Sequence, residues 1–510
     1  MRLAFVNPQG NFDPADSYLT AHPDFGGQLV YVREVALQLA AMGHQADILT
    51  RRIVDPEWPE FAAAEDCYPD QPNVRVLRFP CGPQRFLPKE ELWPHLGEWA
   101  ANIARWYRRE GVWPDLWTGH YADGGLGAAL LEVHSGVPFT FTSHSLGAWK
   151  LDRLLAPDVA VAAVELSADE LLPTLDAHYN FGARIEAERV AMARAATIIT
   201  NSNRGRYCLH DHPAYRDVVD VDDDLQFAVI PPGVNLAIFD AEIRSPREGQ
   251  IREAIAAALS RDIAPERRDL PAVIAWSRLD PKKNHLALVR AFAHWPDLRK
   301  RANLIVITRG LDDPLRELET ATPAEQAVLQ PLVSEVEQAD LWGGISAFSL
   351  AGQDAVAALY RWGAEIGGVF CLPAKHEPFG LSVIEAMACG LPVVATSNGG
   401  PQEITDGGWA GLLANPDDYA ELAEQLLRLI DDPEAWRAYA ARGRERVLEL
   451  YNWRRTAEGY ARLAAEIARG ERTGDASFPL PDFARRSESV ELPRLRHWQP
   501  ASVLPSTYCS

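Results

Sequence analysis

Two glutamates, Glu377 and Glu385, lie eight positions apart around Pro378, Phe379, Gly380 and Leu381. A carboxylate pair suits acid–base work across one bond, or a grip on the two ends of a polar ligand. The apolar run at 367–372 reads as a buried parallel strand, and 382–387 reads as a helix. A strand, a short loop and a helix start form an anion site, because the first backbone N–H groups are unpaired and the dipole is positive there. One carboxylate before that site and one about two turns beyond it can flank a bound anion such as a nucleotide diphosphate.

Other residues carry weaker signals. Arg278 and Lys283 flank the loop SRLDPKKNH after an apolar run at 272–276. Two cations on one βα loop suit a diphosphate, although taken alone an exposed charged loop is the commoner case. Gly26 and Gly27 fall where a helix at 28–42 begins. They let backbone approach a phosphate, or simply make a tight turn, and they are not the GxGxxG dinucleotide fingerprint. The polar loops HYADGG (120–125) and SHSLGAWK (143–150) follow apolar runs. Ligands of open α/β sheets bind beyond the carboxyl ends of strands, which singles out His144. Most lone histidines are structural, however, and Lys89, Lys150 and Arg184 are by type solvated surface charges.

The elements that must position these groups alternate. Strands are expected at 3–6, 46–50, 74–79, 116–120, 139–143 and 197–200, and again at 272–276, 304–308, 344–350, 367–372 and 392–396. Helical patterns lie between them, with long helical stretches at 151–194 and 416–470. Strand–helix alternation predicts parallel sheets covered on both faces, here twice. The Pro231-Pro232-Gly233 break marks the division between the two. Residues 471–510 are proline-rich without periodicity and read as an extended or disordered tail.

Composition narrows the classes. A chain of 510 residues holds two or three domains, and 47% hydrophobic with 24% charged residues is ordinary for a globular enzyme. A formal net charge of −21 argues against nucleic acid or an anionic membrane as partner. The six cysteines are scattered without a CxxC pair, so neither a disulfide framework nor a zinc site is expected, and a cytoplasmic location is. No apolar run reaches signal-peptide or membrane-spanning length.

SRLDPKKN, EPFGLSVIE and SNGGPQEI together resemble the donor domain of retaining glycosyltransferases with the GT-B fold. NPQGNFDPADSYLTAHPDFGGQLVYVREVALQLAAMGH, LPKEELWP, HYADGG and TSHSLGAWK resemble the sucrose-phosphate synthase family within that group. The resemblance runs from Leu3 to about Gly470. It implies two Rossmann-like parallel α/β domains facing each other across a deep cleft. The expected bounds are 1–235 for the acceptor-binding domain, 236–450 for the donor-binding domain and 451–470 for a helix packing back on the first.

The resemblance also implies roles. Arg278 and Lys283 would meet the donor diphosphate and stabilise the leaving group. Glu385 would accept both ribose hydroxyls, and Glu377 would face the transferred sugar. Phe379 and the backbone N–H groups of Gly380 and Leu381 would help hold the donor, as would Gly26 and Gly27. His144 would support charge near the donor sugar. The acceptor, fructose 6-phosphate, would meet Lys89, Lys150 and Arg184 through its phosphate, with Gln28, Tyr121 and Ser145 beside it. The donor would be a nucleotide-glucose, most simply UDP-glucose, as co-substrate, with no permanently bound cofactor and no essential metal. A separate sucrose-phosphate phosphatase is the one protein partner implied.

Rival readings stay open at this point. A GDP-mannose donor would make a mannosylfructose-phosphate synthase, and a free fructose acceptor a sucrose synthase. A retaining glycoside hydrolase would need Glu377 and Glu385 about 5–5.5 Å apart. A non-catalytic nucleotide-sugar binder would need no acceptor residues at all.

Overall fold

The computed structural model describes residues 1–9, 12–13, 27–156, 168–485, 491–498 and 500–501. Gly26 lies outside them. The chain divides into two compact units. The first holds Met1–Pro231 and the chain from Thr456 on, and the second holds Pro232–Arg455.

The first unit is built on eight strands: β1 (Arg2–Val6), β2 (Gln45–Arg51), β3 (Glu65–Tyr68), β4 (Gln71–Phe79), β5 (Leu116–His120), β6 (Phe139–Thr142), β7 (Thr197–Thr200) and β8 (Phe227–Val229). Their order across the sheet is β3-β4-β2-β1-β5-β6-β7-β8. All pairs are parallel except β3 with β4. The short acidic strand β3 and strand β8 were not apparent in the sequence. Both are edge strands, which lack the continuous apolar run of a strand buried on two faces.

The second unit has six strands: β9 (Ala272–Trp276), β10 (Asn303–Thr308), β11 (Ile345–Ser349), β12 (Val369–Leu372), β13 (Val393–Thr396) and β14 (Leu412–Ala414). They run parallel in the order β11-β10-β9-β12-β13-β14. Every residue of β10 is buried, as expected with helices on both sheet faces. One apolar cluster on Ile274, Phe370 and Ile384, and another on Val273, Leu304 and Leu426, supply the core.

Strand order decides where function can sit. In the first sheet the chain winds outward from β1 to β2 and β4, then crosses back to β5 on the other side. In the second it winds from β9 to β10 and β11, then crosses to β12. The carboxyl ends of β1 and β5, and of β9 and β12, therefore flank a crevice in each unit. Asn7, His120, Arg278 and the 373–377 loop lie there by topology alone.

The end of the chain was expected to be extended or disordered. Residues 471–485 and 491–498 are largely extended, yet they are fastened to the first unit. Leu480, Phe483 and Ala484 join its core, and Arg472 donates to the carbonyls of Asp224, Leu225 and Phe227. Arg494 and Leu495 N–H bond Asp176, and the Trp498 indole bonds Asp152. Apolar side chains spaced singly among prolines can seat in a groove without any period to reveal them. Among the described cysteines, Cys67, Cys81, Cys371 and Cys389 are free thiols.

Candidate functional site

The second unit gathers SRLDPKKN and the 375–385 stretch at the ends of β9 and β12. Asp280 accepts from Lys282 N–H, capping a short turn, and Asn284 closes it in a left-handed conformation (φ 56°). The Asn284 side chain donates to the carbonyls of Pro373 and Pro416, stitching this loop to its neighbours. Lys283 Nζ is thereby held against Glu377 Oε2 at 2.6 Å. Arg278 is exposed and has no ion-pair or hydrogen-bond partner among the described residues.

Glu377 is fixed through its backbone. Its N–H donates to Asn398 O at 3.0 Å, and its carbonyl accepts from Gly400 N–H at 2.8 Å. Gly399 has φ 116°, and a Cβ there would run into the Glu377 carbonyl, so SNGG can only be glycine at that point. Gly380 (φ 112°) then turns the chain into the Leu381–Ala388 helix. Phe379 is buried, its ring 6.0 Å from that of Tyr451, and Leu381 is exposed.

Glu385 is half-buried on that helix. Burial pushes its pKa up to about 7, against the opposing pull of the Arg309 guanidinium. Arg309 itself stacks over the Trp276 ring at 5.4 Å. Beside Glu385, the Tyr360 hydroxyl is buried with no hydrogen-bond partner among the described residues, and burial followed by the nearby Glu385 charge raises its pKa. The two glutamates thus have separate surroundings, Lys283 for one and Arg309 with Tyr360 for the other.

In the first unit, His144 (φ 53°) lies in the loop just after β6, and its Nε2 is 2.9 Å from His120 Nδ1. His120 Nε2 lies 3.1 Å from Thr118 Oγ1, which completes a chain inward from His144. Tyr31 packs edge-on against His144 at 5.2 Å. Burial pushes the His144 pKa down to about 4, so the ring is neutral at pH 7. Burial, and then the neighbouring His144 ring, lower His120 as well. Gln28 Nε2 is 3.4 Å from Asn7 Oδ1, and Gly27 opens the Gly27–Ala41 helix.

Lys89, Lys150 and Arg184 come from three separate elements, yet they line one small cleft with Tyr121. Lys150 Nζ sits 4.1 Å from the Tyr179 ring centroid, and the Arg184 guanidinium 4.8 Å from that of Tyr121. Ser145 Oγ bonds both Tyr121 OH (3.2 Å) and Arg184 (3.0 Å). Arg184 is aimed from behind by Glu188, 2.9 Å away and one helical turn on. Glu188 also accepts from Gly147 N–H at 2.9 and 3.0 Å and from the Tyr215 hydroxyl. With these donors around it, the Glu188 carboxylate is a fixed brace for the Arg184 guanidinium.

Similarity to known proteins fits this geometry. Residues 258–446 match the profile "Glycosyl transferases group 1", and residues 26–221 match "Glycosyl transferase 4-like domain". A probable sucrose-phosphate synthase of Thermosipho melanesiensis is 38% identical over 463 residues, covering 91% of this chain and 96% of that one. The chain belongs to the sucrose-phosphate synthase family. It is a hexosyltransferase with the GT-B fold. Plant relatives of the family are longer: a probable sucrose-phosphate synthase of Oryza sativa is 32% identical, and the chain spans 43% of its length. The solved sucrose-phosphate synthase of Thermosynechococcus elongatus superposes with TM-score 0.64 at 26% identity, covering 92% of this chain and 99% of that one. HepE of Anabaena, solved in complex with UDP, shares the fold at TM-score 0.58 and 17% identity, covering 91% of this chain and 100% of that one.

Several residues of these sites escaped the sequence reading. Arg309 and Trp276 end two adjacent strands, and their strand-end positions were the available signal. Glu188 lies four residues after Arg184 within a helix, the spacing of an ion pair. Thr118 and Asp123 sit in or beside the polar HYADGG stretch, but nothing in one sequence separates them from ordinary strand and helix-start residues.

Proposed function

We propose that the chain transfers glucose from a nucleotide-glucose, UDP-glucose in the first instance, to fructose 6-phosphate. The products are sucrose 6-phosphate and the nucleoside diphosphate, with retention at the anomeric carbon. The observation that carries this reading is the convergence of Lys89, Lys150 and Arg184 with Tyr121 on one cleft of the first unit. Three cations suit a phosphomonoester, and a free ketose gives them nothing to bind. The UDP complex of HepE, a protein of the same fold, supports a nucleotide sugar as donor.

In this reading Arg278 and Lys283 face the donor diphosphate, and Glu385 takes the ribose hydroxyls with the Arg309–Trp276 pair beside it. Glu377 fixes Lys283 and faces the sugar. The acceptor hydroxyl oxygen bonds to the anomeric carbon as the bond from that carbon to the diphosphate oxygen breaks. The electron pair leaves with the diphosphate, whose oxygen takes the acceptor proton. Arg278 and Lys283 stabilise the charge that develops there. Neutral His144 offers a hydrogen-bonding nitrogen near the sugar without competing as a cation. The product is a phosphomonoester, so a separate phosphatase is its proposed consumer, and the cytoplasm is the proposed location. No helix among the described residues is long and apolar enough to cross a membrane.

The test is a matrix of UDP-, ADP- and GDP-glucose and GDP-mannose against fructose 6-phosphate and fructose, read as nucleotide release. Turnover with UDP-glucose and fructose 6-phosphate is expected. Release only with free fructose overturns the acceptor assignment, and release only with GDP-mannose overturns the donor.

A further inference from the structure

His120 is a buried histidine to which the transfer reaction gives no task. It ends β5 and exposes no surface. Phe5, Tyr31 and Tyr460 wall its ring at centroid distances of 5.7, 5.8 and 6.4 Å. Both of its nitrogens are engaged, Nδ1 with His144 Nε2 at 2.9 Å and Nε2 with Thr118 Oγ1 at 3.1 Å. An apolar side chain would fill the same space without carrying two polar atoms into the core, so what His120 adds is these two hydrogen bonds.

Both rings are neutral at pH 7, because burial lowers the pKa of each. A neutral imidazole carries one N–H, and one proton lies between His144 and His120. If His144 Nε2–H donates to His120 Nδ1, then His120 Nε2–H donates to Thr118 Oγ1, and both rings are Nε2–H tautomers. If His120 Nδ1–H donates instead, Thr118 donates to His120 Nε2, and both rings are Nδ1–H tautomers. The two rings thus change tautomer together. Beyond Thr118 lies the Tyr460 hydroxyl, which also meets Thr142 Oγ1 at 3.0 Å. Hydroxyls donate and accept alike, so this end of the row suits either arrangement. The choice falls to the imidazoles. A neutral histidine ordinarily keeps its proton on the nitrogen farther from Cβ, Nε2, and here that preference acts twice. With Nε2 turned inward, the half-buried His144 is left with an Nδ1 that has no hydrogen-bond partner among the described residues.

We infer that His120 is a positioning residue for the transfer: it holds His144 as the Nε2–H tautomer, so that His144 Nδ1 presents a lone pair to a hydroxyl of the hexosyl group. This rests on the reading that puts His144 beside the donor sugar. The opposite tautomer would present an N–H at the same place, and the row behind the ring makes His144 an acceptor there. His120 is enclosed and acts through His144 alone.

The experiment is long-range proton–nitrogen correlation NMR of the full chain at pH 7 with nitrogen-15-labelled histidine, which tells a protonated ring nitrogen from a bare one. His144→Gln identifies the His144 signals by their loss. Nδ1 of His144 should be bare and Nε2 protonated, and a bare Nε2 in the unsubstituted chain overturns the inference before any further variant is made. His120→Phe removes the acceptor behind the ring. His144 should then show both tautomers, and kcat/KM for UDP-glucose should fall about tenfold, the loss of about one hydrogen bond, with the fructose 6-phosphate KM within about twofold. His120→Asn can place an amide oxygen where Nδ1 was, and should restore the tautomer and most of the rate. An unchanged His144 tautomer in His120→Phe, or a His120→Asn no better than His120→Phe, makes His120 a space-filler, and the inference fails. A chain that turns over no donor–acceptor pair fails the proposed function and the sugar contact with it, whereas a bare Nε2 in an active enzyme fails the inference alone.

Discussion

Replacing Glu385 by Gln should stabilise the unliganded protein at alkaline pH and leave it unchanged at acid pH. The Glu385 carboxyl faces Arg309, Tyr360 and Cys389, and burial raises its pKa from 4.5 to about 7. Above pH 4.5 the unfolded carboxyl has lost its proton, while the folded one keeps it until about pH 7. The unfolded state therefore binds fewer protons across this window, and stability falls as pH rises through it. At ~1.36 kcal/mol per pH unit, the loss by pH 8 is about 3 kcal/mol at most, because solvent reaching this half-buried group lowers the penalty. The assay is urea denaturation of wild type and Glu385→Gln at pH 5 and pH 8, following tryptophan fluorescence. The variant should match wild type at pH 5 and exceed it by up to about 3 kcal/mol at pH 8. Its nucleotide affinity should fall, which would explain why a destabilising carboxylate is kept. An equal difference at both pH values, or a variant less stable at pH 8, refutes the argument.

Arg184→Ala should raise the acceptor KM about 10- to 100-fold, by loss of charge-assisted hydrogen bonds, and the donor KM far less. An equal rise in both, in steady-state kinetics, would place Arg184 elsewhere. Glu188→Ala should cost about 3–5 kcal/mol of stability, because it leaves the buried Arg184 charge unpaired; chemical denaturation measures this. Glu377→Ala should chiefly lower kcat, since it releases Lys283 without touching the Glu385 end; an effect confined to KM contradicts that role. His144, neutral with a pKa of about 4, contributes stability present above pH 6.5 and lost as pH falls through 4. His144→Gln should accordingly flatten the acid-side decline of Tm between pH 7 and 4, and an unchanged slope counts against it.

The fold was legible because its strands are short, apolar and nearly all buried on both faces. LAFV, AVIAW and LIVIT leave little alternative to a parallel sheet covered by helices. What the sequence left open was convergence. Lys89, Lys150 and Arg184 come from separate elements, and only the crossover between β1 and β5 brings their loops to one edge. The pairing of Lys283 with Glu377 depends on Asn284 bridging two loops, a contact with no periodic signature. Glu188 stayed hidden for a different reason. It is a charged residue inside a buried helical pattern, and one sequence does not show that Gly147, Arg184 and Tyr215 converge on it. The first boundary was placed at 235 and lies near Pro231, because the proline-rich break spans both. Gly26 lies outside the described residues, so its role stays with the proposal.

The return of the chain to its first unit at Thr456 bears on how the protein is made. Residues up to Pro231 supply eight strands, yet that unit also requires a segment that leaves the ribosome some 220 residues later. Thr456 bonds the Pro231 carbonyl, and Tyr460 is 3.0 Å from Thr142 and stacks on His120 at 6.4 Å. The late-made Trp453–Ala468 helix is therefore the keystone under His120 and His144. The unit begun first is finished last, while the one in the middle has its whole sequence available beforehand. A nascent chain arrested before Thr456 would carry a complete second unit and a first unit still missing the tyrosine that braces its histidines.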